Sequence, residues 1–360
     1  MKTIFVLVFI YFFMINNSYS FKLDFLVKIF NENNKEILLT GFDRSYGVGV
    51  KDDLVFIPDF FSGLIYEFDL KNNKSKILKN HKKKLSNLSL FEKFSKFRIK
   101  RSIFKPHDIF FDNELNMYIS EMGDKKMNKT GKISVFDNNL NFNADIDFIV
   151  SKNYELQNPI MIYKKNDKFY ITENGRNIIL RFNKNYEFLD WIGEESELDN
   201  NFININLLNP HAIKVGPRNE IYIVDTGNHR ILRFSNEGKY EGWIGKKLDG
   251  SINESWQKDG VSKKGSELGA FDSPCDLIVL DGYIYVSDTH NNRIMKINLD
   301  GKGIGLLSFD EITHQYTWSK EIKNKIDLKH PFGIKIEKNR IFIADRGNNR
   351  IKILYSKNLF

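Results

Sequence analysis

Two histidines of this chain stand in the same local setting. Pro106-His107-Asp108 and Pro210-His211-Ala212 each place an imidazole directly after a proline that opens a short apolar run. Imidazoles brought to one opening are zinc ligands, and catalytic zinc takes three protein ligands and keeps a fourth position open. A pair falls one short of that set, and two histidines bonded to water or backbone are the plain alternative. No Gly-rich phosphate loop, nucleophile elbow, CxxC pair or HExxH helix stands out, so other reaction classes find little support. Whether residues 107 and 211 can meet depends on the elements around them.

Those elements repeat. Asp225-Thr-Gly-Asn-His-Arg-Ile231 returns as Asp288-Thr-His-Asn-Asn-Arg-Ile294 and as Asp345-Arg-Gly-Asn-Asn-Arg-Ile351. Each copy lies between two short alternating apolar runs, which is a strand, a polar turn and a second strand. Upstream of each comes a proline-led strand, opening at Pro210, Pro274 and Pro331, and the same opening recurs at Pro106 and Pro159. A looser version starts at Arg44. Six units therefore begin near residues 44, 105, 158, 209, 273 and 330, a spacing of about 50 to 65 residues that signals a propeller or an array. Most hairpins are followed by a fourth strand, but the last has no room for one. The apolar stretch Leu23–Phe30 has the missing strand's character, and docking it on the last unit would close the ring and remove exposed edges. The expected fold is all-β: a six-bladed β-propeller, its last blade closed by an N-terminal strand.

In such a ring the proline-led strands run along the channel, and the turns after the second strands return to the face where the first strands begin. That face should gather Tyr46, His107, Ile160, His211, Cys275 and Phe332 around the axis. A concave funnel of convergent side chains is the default ligand site. The recurring Asp225/Arg230, Asp288/Arg293 and Asp345/Arg350 pairs read as structural, the carboxylate accepting turn amides and the arginine pairing across the hairpin.

Composition fits one compact body, with 41% hydrophobic and 14% aromatic residues. The connections 70–104, 246–272 and 307–329 are long and read as elaborated loops. Residues 1–20 read as a signal peptide, with Lys2, the apolar stretch Ile4 to Met14 and a small-residue cleavage site at Ser18-Tyr-Ser20. Residues 21–360 are then an exported, secreted or periplasmic propeller. Its single cysteine, Cys275, excludes an internal disulfide. Between Lys71 and Lys105 there are thirteen Lys or Arg and one acid, Glu92. That run suits anionic surfaces, or is a solvated loop; nucleic acid is not the expected partner, since no aromatic stacking ladder accompanies the run.

The Asp-x-Gly-Asn-x-Arg-Ile hairpins and proline-led strands resemble NHL repeats, from about residue 43 to 358. That resemblance implies a six-bladed propeller, and it leaves RNA binding, protein binding and catalysis open. A closer resemblance is to peptidyl-α-hydroxyglycine amidating lyase, a propeller of this repeat type that holds a catalytic zinc through Pro-His pairs on blades two, four and six. His107 and His211 match blades two and four. Phe332 occupies the third place, with His330 two residues earlier, about 6.6 Å along a strand, so His330 would need a backbone shift to ligate. Cys275, one blade away, is the other candidate third ligand. The lyase's catalytic tyrosine and arginines correspond to turns that here hold Asp59, Gly175 and Thr226, none suited to those roles. Tyr46, Arg176 and Arg346 are the nearby catalytic candidates of a rearranged site. Lactonases and strictosidine-synthase-like proteins share the propeller shape and hold calcium in the funnel, for which Asp59, Glu121 and Glu173 would supply oxygens. Those acids also occupy equivalent turn positions, which the repeat itself explains. The leading expectation is a binding or scaffold protein taking a small molecule, peptide or protein at the channel mouth, with a zinc-dependent lyase as the alternative.

Overall fold

The computed structural model describes residues 29–31, 36–72, 74–78, 103–146, 155–193, 202–203, 205–310, 313, 315–321 and 326–355. The signal segment 1–20, most of Leu23–Phe30 and the middle of the basic run lie outside the described residues.

Six sheets, antiparallel apart from the pairing of Phe202–Ile203 along Phe188–Gly193, follow one another in the order the repeats require. Their innermost strands are Gly49–Lys51, Pro106–Phe111, Pro159–Lys165, Pro210–Val215, Pro274–Leu280 and Pro331–Glu337. Each sheet then steps outward through three or four further strands, in blade four Ile221–Asp225, Arg230–Phe234 and Tyr240–Ile244. Apolar side chains alternate between the two faces of each sheet, so each blade packs on both neighbours. Six buried clusters result, one at each seam between blades. The seam that closes the ring joins Phe342, Ile351 and Ile353 of blade six to Val55, Ile57 and Tyr66 of blade one.

Closure comes from the N-terminal region, but from a later segment than expected. Glu36–Thr40 pairs along Arg350–Tyr355 as the fourth strand of blade six. Ile29–Asn31, which overlaps the last two residues of the stretch 23–30, pairs outside it as a fifth strand. The reason is burial: Ile37 and Leu39 put two side chains into the seam cluster, each contributing about 1.5–3 kcal/mol. Two of the expected loops are also more ordered than their composition suggests. Gly303–Asp310 and Gln315–Ser319 extend blade five to five strands, and 246–272 contains a short hairpin, Lys246–Lys247 with Ser262–Lys263.

The hairpin motif has a local cause in each residue. Asp225 accepts hydrogen bonds from Leu208 N at 2.8 Å, Asn228 Nδ2 at 2.9 Å and Arg230 Nε at 2.7 Å. Asp288 and Asp345 repeat the same three bonds with their own neighbours. The residue before each arginine is left-handed: His229, Asn292 and Asn349 have φ of 53°, 55° and 48°. Asparagine tolerates that region best among residues with a Cβ, which is why the turns are rich in it. The aspartates thus fasten each turn to the chain entering the same blade's inner strand.

Candidate functional site

The starts of the six inner strands meet at one cavity. Its lining includes Tyr46, His107, Ile160, His211, Cys275 and Phe332, one residue from each blade. Adjacent residues line it too, among them Gly47, Asp108, Met161 and Asp276. Strict alternation would send neighbours to opposite faces. Instead the register shifts directly after the prolines of blades two to six, as at Pro106/Ile109 and Pro210/Ala212. A bulge sets two residues against one and lets consecutive side chains face the axis.

The upper layer is aromatic. Tyr46 stacks on His107 with centroids 4.5 Å apart, and Phe332 meets Tyr46, His107 and His211 at 5.0, 5.6 and 5.1 Å. The two imidazoles lie 6.1 Å apart, edge to face. His107 Nδ1 sits 3.1 Å from Ile160 O. A carbonyl can only accept, so Nδ1 carries the proton and Nε2 is left as an acceptor. Burial holds the His107 pKa well below the usual histidine value, helped by His211 and Arg346. Burial and the Arg346 charge lower His211 to about 4. Its Nδ1 is shielded from solvent and has no hydrogen-bond partner among the described residues. Both rings are therefore neutral at pH 7. The space they leave takes little more than a water molecule, so a ligand would present one end to it from the open side.

Arg346 roofs this layer. Its guanidinium lies 4.7 Å from the Tyr46 ring centre and 5.6 Å from that of Phe332. Among the described residues its side chain makes one hydrogen bond, a long contact to Tyr46 Oη at 3.5 Å, and its buried Nε has no partner. The corresponding turn residues elsewhere behave differently. Asn174, Thr226 and Thr289 each donate to the proline carbonyl of the next blade, at 3.4, 2.6 and 2.7 Å. Arg346 takes the same place in its turn, yet lies over the Tyr46 and Phe332 rings.

Beneath lies a layer of charge that the motifs do not announce. Lys214 Nζ is 3.5 Å from Asp276 Oδ1, and Lys335 Nζ is 3.9 Å from Asp108 Oδ2. Asp276 also accepts from Ile334 N at 3.0 Å and Leu277 N at 2.8 Å. Burial lowers the Lys214 pKa and raises that of Asp108. Two lysines and two aspartates balance inside the channel, and breaking such a pair strands a buried charge. Aligning the proline-led strands would have shown it: aspartate follows His107 and Cys275, and lysine stands four residues after Pro210 and Pro331.

The expected site residues divide accordingly. Tyr46, His107, His211, Cys275 and Arg346 converge at the mouth. His330 does not join them. It occupies the left-handed residue before Pro331, φ 47°, and its ring lies 5.6 Å from His290 instead. There it belongs to a group the sequence did not reveal, with Asp272 3.4 Å from His229 and 3.5 Å from His290. Burial pushes the Cys275 thiol up to about 12, and its Sγ contacts Ser273 O at 3.5 Å. Arg176 lies in the turn Asn174–Arg176 of blade three, outside the cavity lining. Asp59, Glu121 and Glu173 also lie outside it, their oxygens taken by chain amides and, at Glu121, by the Ser134 hydroxyl as well. Asp59 accepts from Asp43, Phe61 and Ser62, Glu121 from Phe104, and Glu173 from Gln157, Asn158 and Gly175. Among the described residues no group of three His, Cys, Asp or Glu side chains converges to hold a metal ion. The donor set at the mouth does not fit zinc, because the place of a third ligand is filled by Phe332 and roofed by a cation. The three acids do not fit calcium, because they are spread over three blades and bonded to backbone.

Comparison with known proteins agrees with this geometry. Residues 207–234, the first three strands of blade four, match the NHL repeat. An NHL repeat therefore sits within a six-bladed β-propeller. NHL repeat-containing protein 2 of Bos taurus is 34% identical over 99 residues, 26% of this chain and 12% of that protein, and its Homo sapiens counterpart is 33% identical over 97. The matched segment thus spans about an eighth of those relatives. Among solved structures, an auxiliary nutrient binding protein of Bacteroides ovatus is similar with a TM-score of 0.56, 16% identity, and 92% and 75% of the two chains covered. Virginiamycin B lyase of Staphylococcus aureus is similar with a TM-score of 0.50, 14% identity, and 92% and 98% covered. At these identities the likeness is one of fold.

Proposed function

We propose that this NHL-repeat propeller is a binding protein whose channel mouth takes one end of a small anionic ligand. The observation that carries the proposal is Arg346, a guanidinium over Tyr46 and Phe332 with no carboxylate partner among the described residues and a buried Nε unbonded among them. A cation left so incompletely paired beside neutral histidines is favoured by an incoming anion. Guanidinium is planar and matches a carboxylate with two parallel hydrogen bonds. His107 Nε2 would accept a donor from the same ligand. Export directed by residues 1–20 belongs to this reading, and amino-terminal sequencing of secreted protein tests it.

Benzoate is a suitable probe, since its carboxylate can meet Arg346 while its ring stays outside the mouth. The expected result is thermal stabilisation of the parent by benzoate, absent in Arg346→Ala. Equal response in both proteins, or no response to any small carboxylate or phosphate, would overturn the proposal.

A second reading, a lyase, rests on the unprotonated Nε2 of His107 as a base beside Tyr46 and Arg346. No step through zinc is derived, given the donor set. Turnover of a peptidyl-α-hydroxyglycine that survives chelator and is lost in His107→Ala would support it, and absence of turnover would remove it.

A further inference from the structure

We infer that the rim of blades one and two, on the same face as the mouth, is a docking surface for an anionic lipid bilayer. Four observations carry this. Phe61 and Met127 project from two adjacent turns, 57% and 61% exposed. Such large apolar groups in solvent are ordinary singly, but these two stand within one cationic field. Arg44 lies 4.9 Å from the Phe61 ring centre, Lys129 lies 3.6 Å from that of Phe104, and Lys105 reaches both Phe60 and Phe104, at 5.9 and 5.5 Å. Finally, Lys105 binds Asp124 at 2.7 Å, which ties the turn Lys125–Met127, with its two exposed lysines, to the same patch.

The arrangement distinguishes a bilayer from a flat stacking ligand. Cations already lie over the Phe61 and Phe104 rings, so those faces are not free for a sugar or a base. What remains outward is a layer of ammonium and guanidinium groups with two apolar side chains protruding through it. That is the chemistry of a phosphate-rich interface, where basic groups meet headgroups and apolar ones enter below them. Asp124 is neutralised by Lys105, so the field stays positive. Phe104 and Lys105 lie at the C-terminal end of the basic run seen in the sequence.

Sedimentation of the full chain with vesicles tests the inference. The vesicles are phosphatidylcholine alone, or phosphatidylcholine with phosphatidylglycerol. The protein should partition onto the anionic vesicles only, and salt should weaken it. Lys125→Ala/Lys126→Ala/Lys129→Ala should lower partition roughly a hundredfold, at about fivefold per lysine. Phe61→Ala/Met127→Ala should lower it several-fold with charge unchanged, and with unaltered unfolding because both side chains are exposed. The N-terminal apolar stretch is common to all variants, so differences report the patch. Partition equal in parent and triple variant, or equal on both vesicles, overturns the inference. Binding to poly-glutamate without binding to vesicles also overturns it and assigns the patch to an acidic protein.

Discussion

Acidification from pH 7 to pH 5 should destabilise the folded ring through His211, and the size of that effect follows from its surroundings. His211 is half-buried against His107 and Phe332 and close to the Arg346 charge, with Asp276 acting the other way. These hold its folded pKa at about 4, against 6.5 for the free side chain. Below pH 6.5 the unfolded chain takes up a proton that the folded chain refuses. The stabilisation is therefore complete above pH 6.5 and is lost as pH falls toward 4. One pKa unit corresponds to about 1.4 kcal/mol, so the loss between pH 7 and pH 5 is roughly 2 kcal/mol. Carboxylates with raised values, Glu173 near 7 and Asp288 near 6, push stability the opposite way on acidification. Only the difference between parent and variant isolates the histidine. His211→Phe keeps a ring against Phe332 and cannot titrate. Urea unfolding of both proteins at the two pH values is the assay. The parent should lose roughly 2 kcal/mol more than the variant, with or without chelator. Equal losses would mean that His211 is solvated and protonates freely in the folded state, and the account of the mouth would fail. A loss confined to chelator-treated protein would mean a metal, not burial, holds the imidazole neutral.

Two further substitutions test the frame around the mouth. Asp288→Ala removes the acceptor for Asp272 N, Asn291 and Arg293 and leaves a buried arginine uncompensated; urea unfolding should show a loss of about 3–5 kcal/mol, whereas a loss under 1 kcal/mol would refute a structural role for the motif aspartate. Gly47→Ala would bring a Cβ to 2.8 Å from the Asp108 backbone; the overpacking should remove about 1–3 kcal/mol and weaken ligand binding at the mouth, and an unperturbed variant would show that blade one is looser than described.

Much of the architecture was legible in the sequence because a propeller blade is local. The hairpin aspartates, the asparagines at left-handed turn residues and the proline-led strands all act within about 25 residues of one another. Repetition then made three clear and three degenerate local patterns into one strong statement, and pointed to a closing strand from the N-terminal region. Its exact position at Glu36–Thr40 was less legible, because residues 23–30 and 36–40 are both apolar enough to pair and only burial of Ile37 and Leu39 chooses between them.

The mouth was legible as a list of positions and not as a site. Six residues at equivalent places had to converge once the ring closed, and His107 and His211 did. Their tautomers, the placing of His330 and the role of Arg346 were decided elsewhere. The bulge after each proline turns consecutive residues to the axis, which a two-residue period cannot express. The left-handed residue before Pro331 carries His330 away toward His290. Lys214 meets Asp276, and Asp108 meets Lys335, across gaps of 62 and 227 residues. The sequence by itself determined the blades and the face on which they open, since those follow from short-range hydrogen bonding and burial repeated six times. Only the tertiary structure decided which side chains share the axis and in what charge state, because that depends on distances between blades and on how much water each group loses when the ring closes.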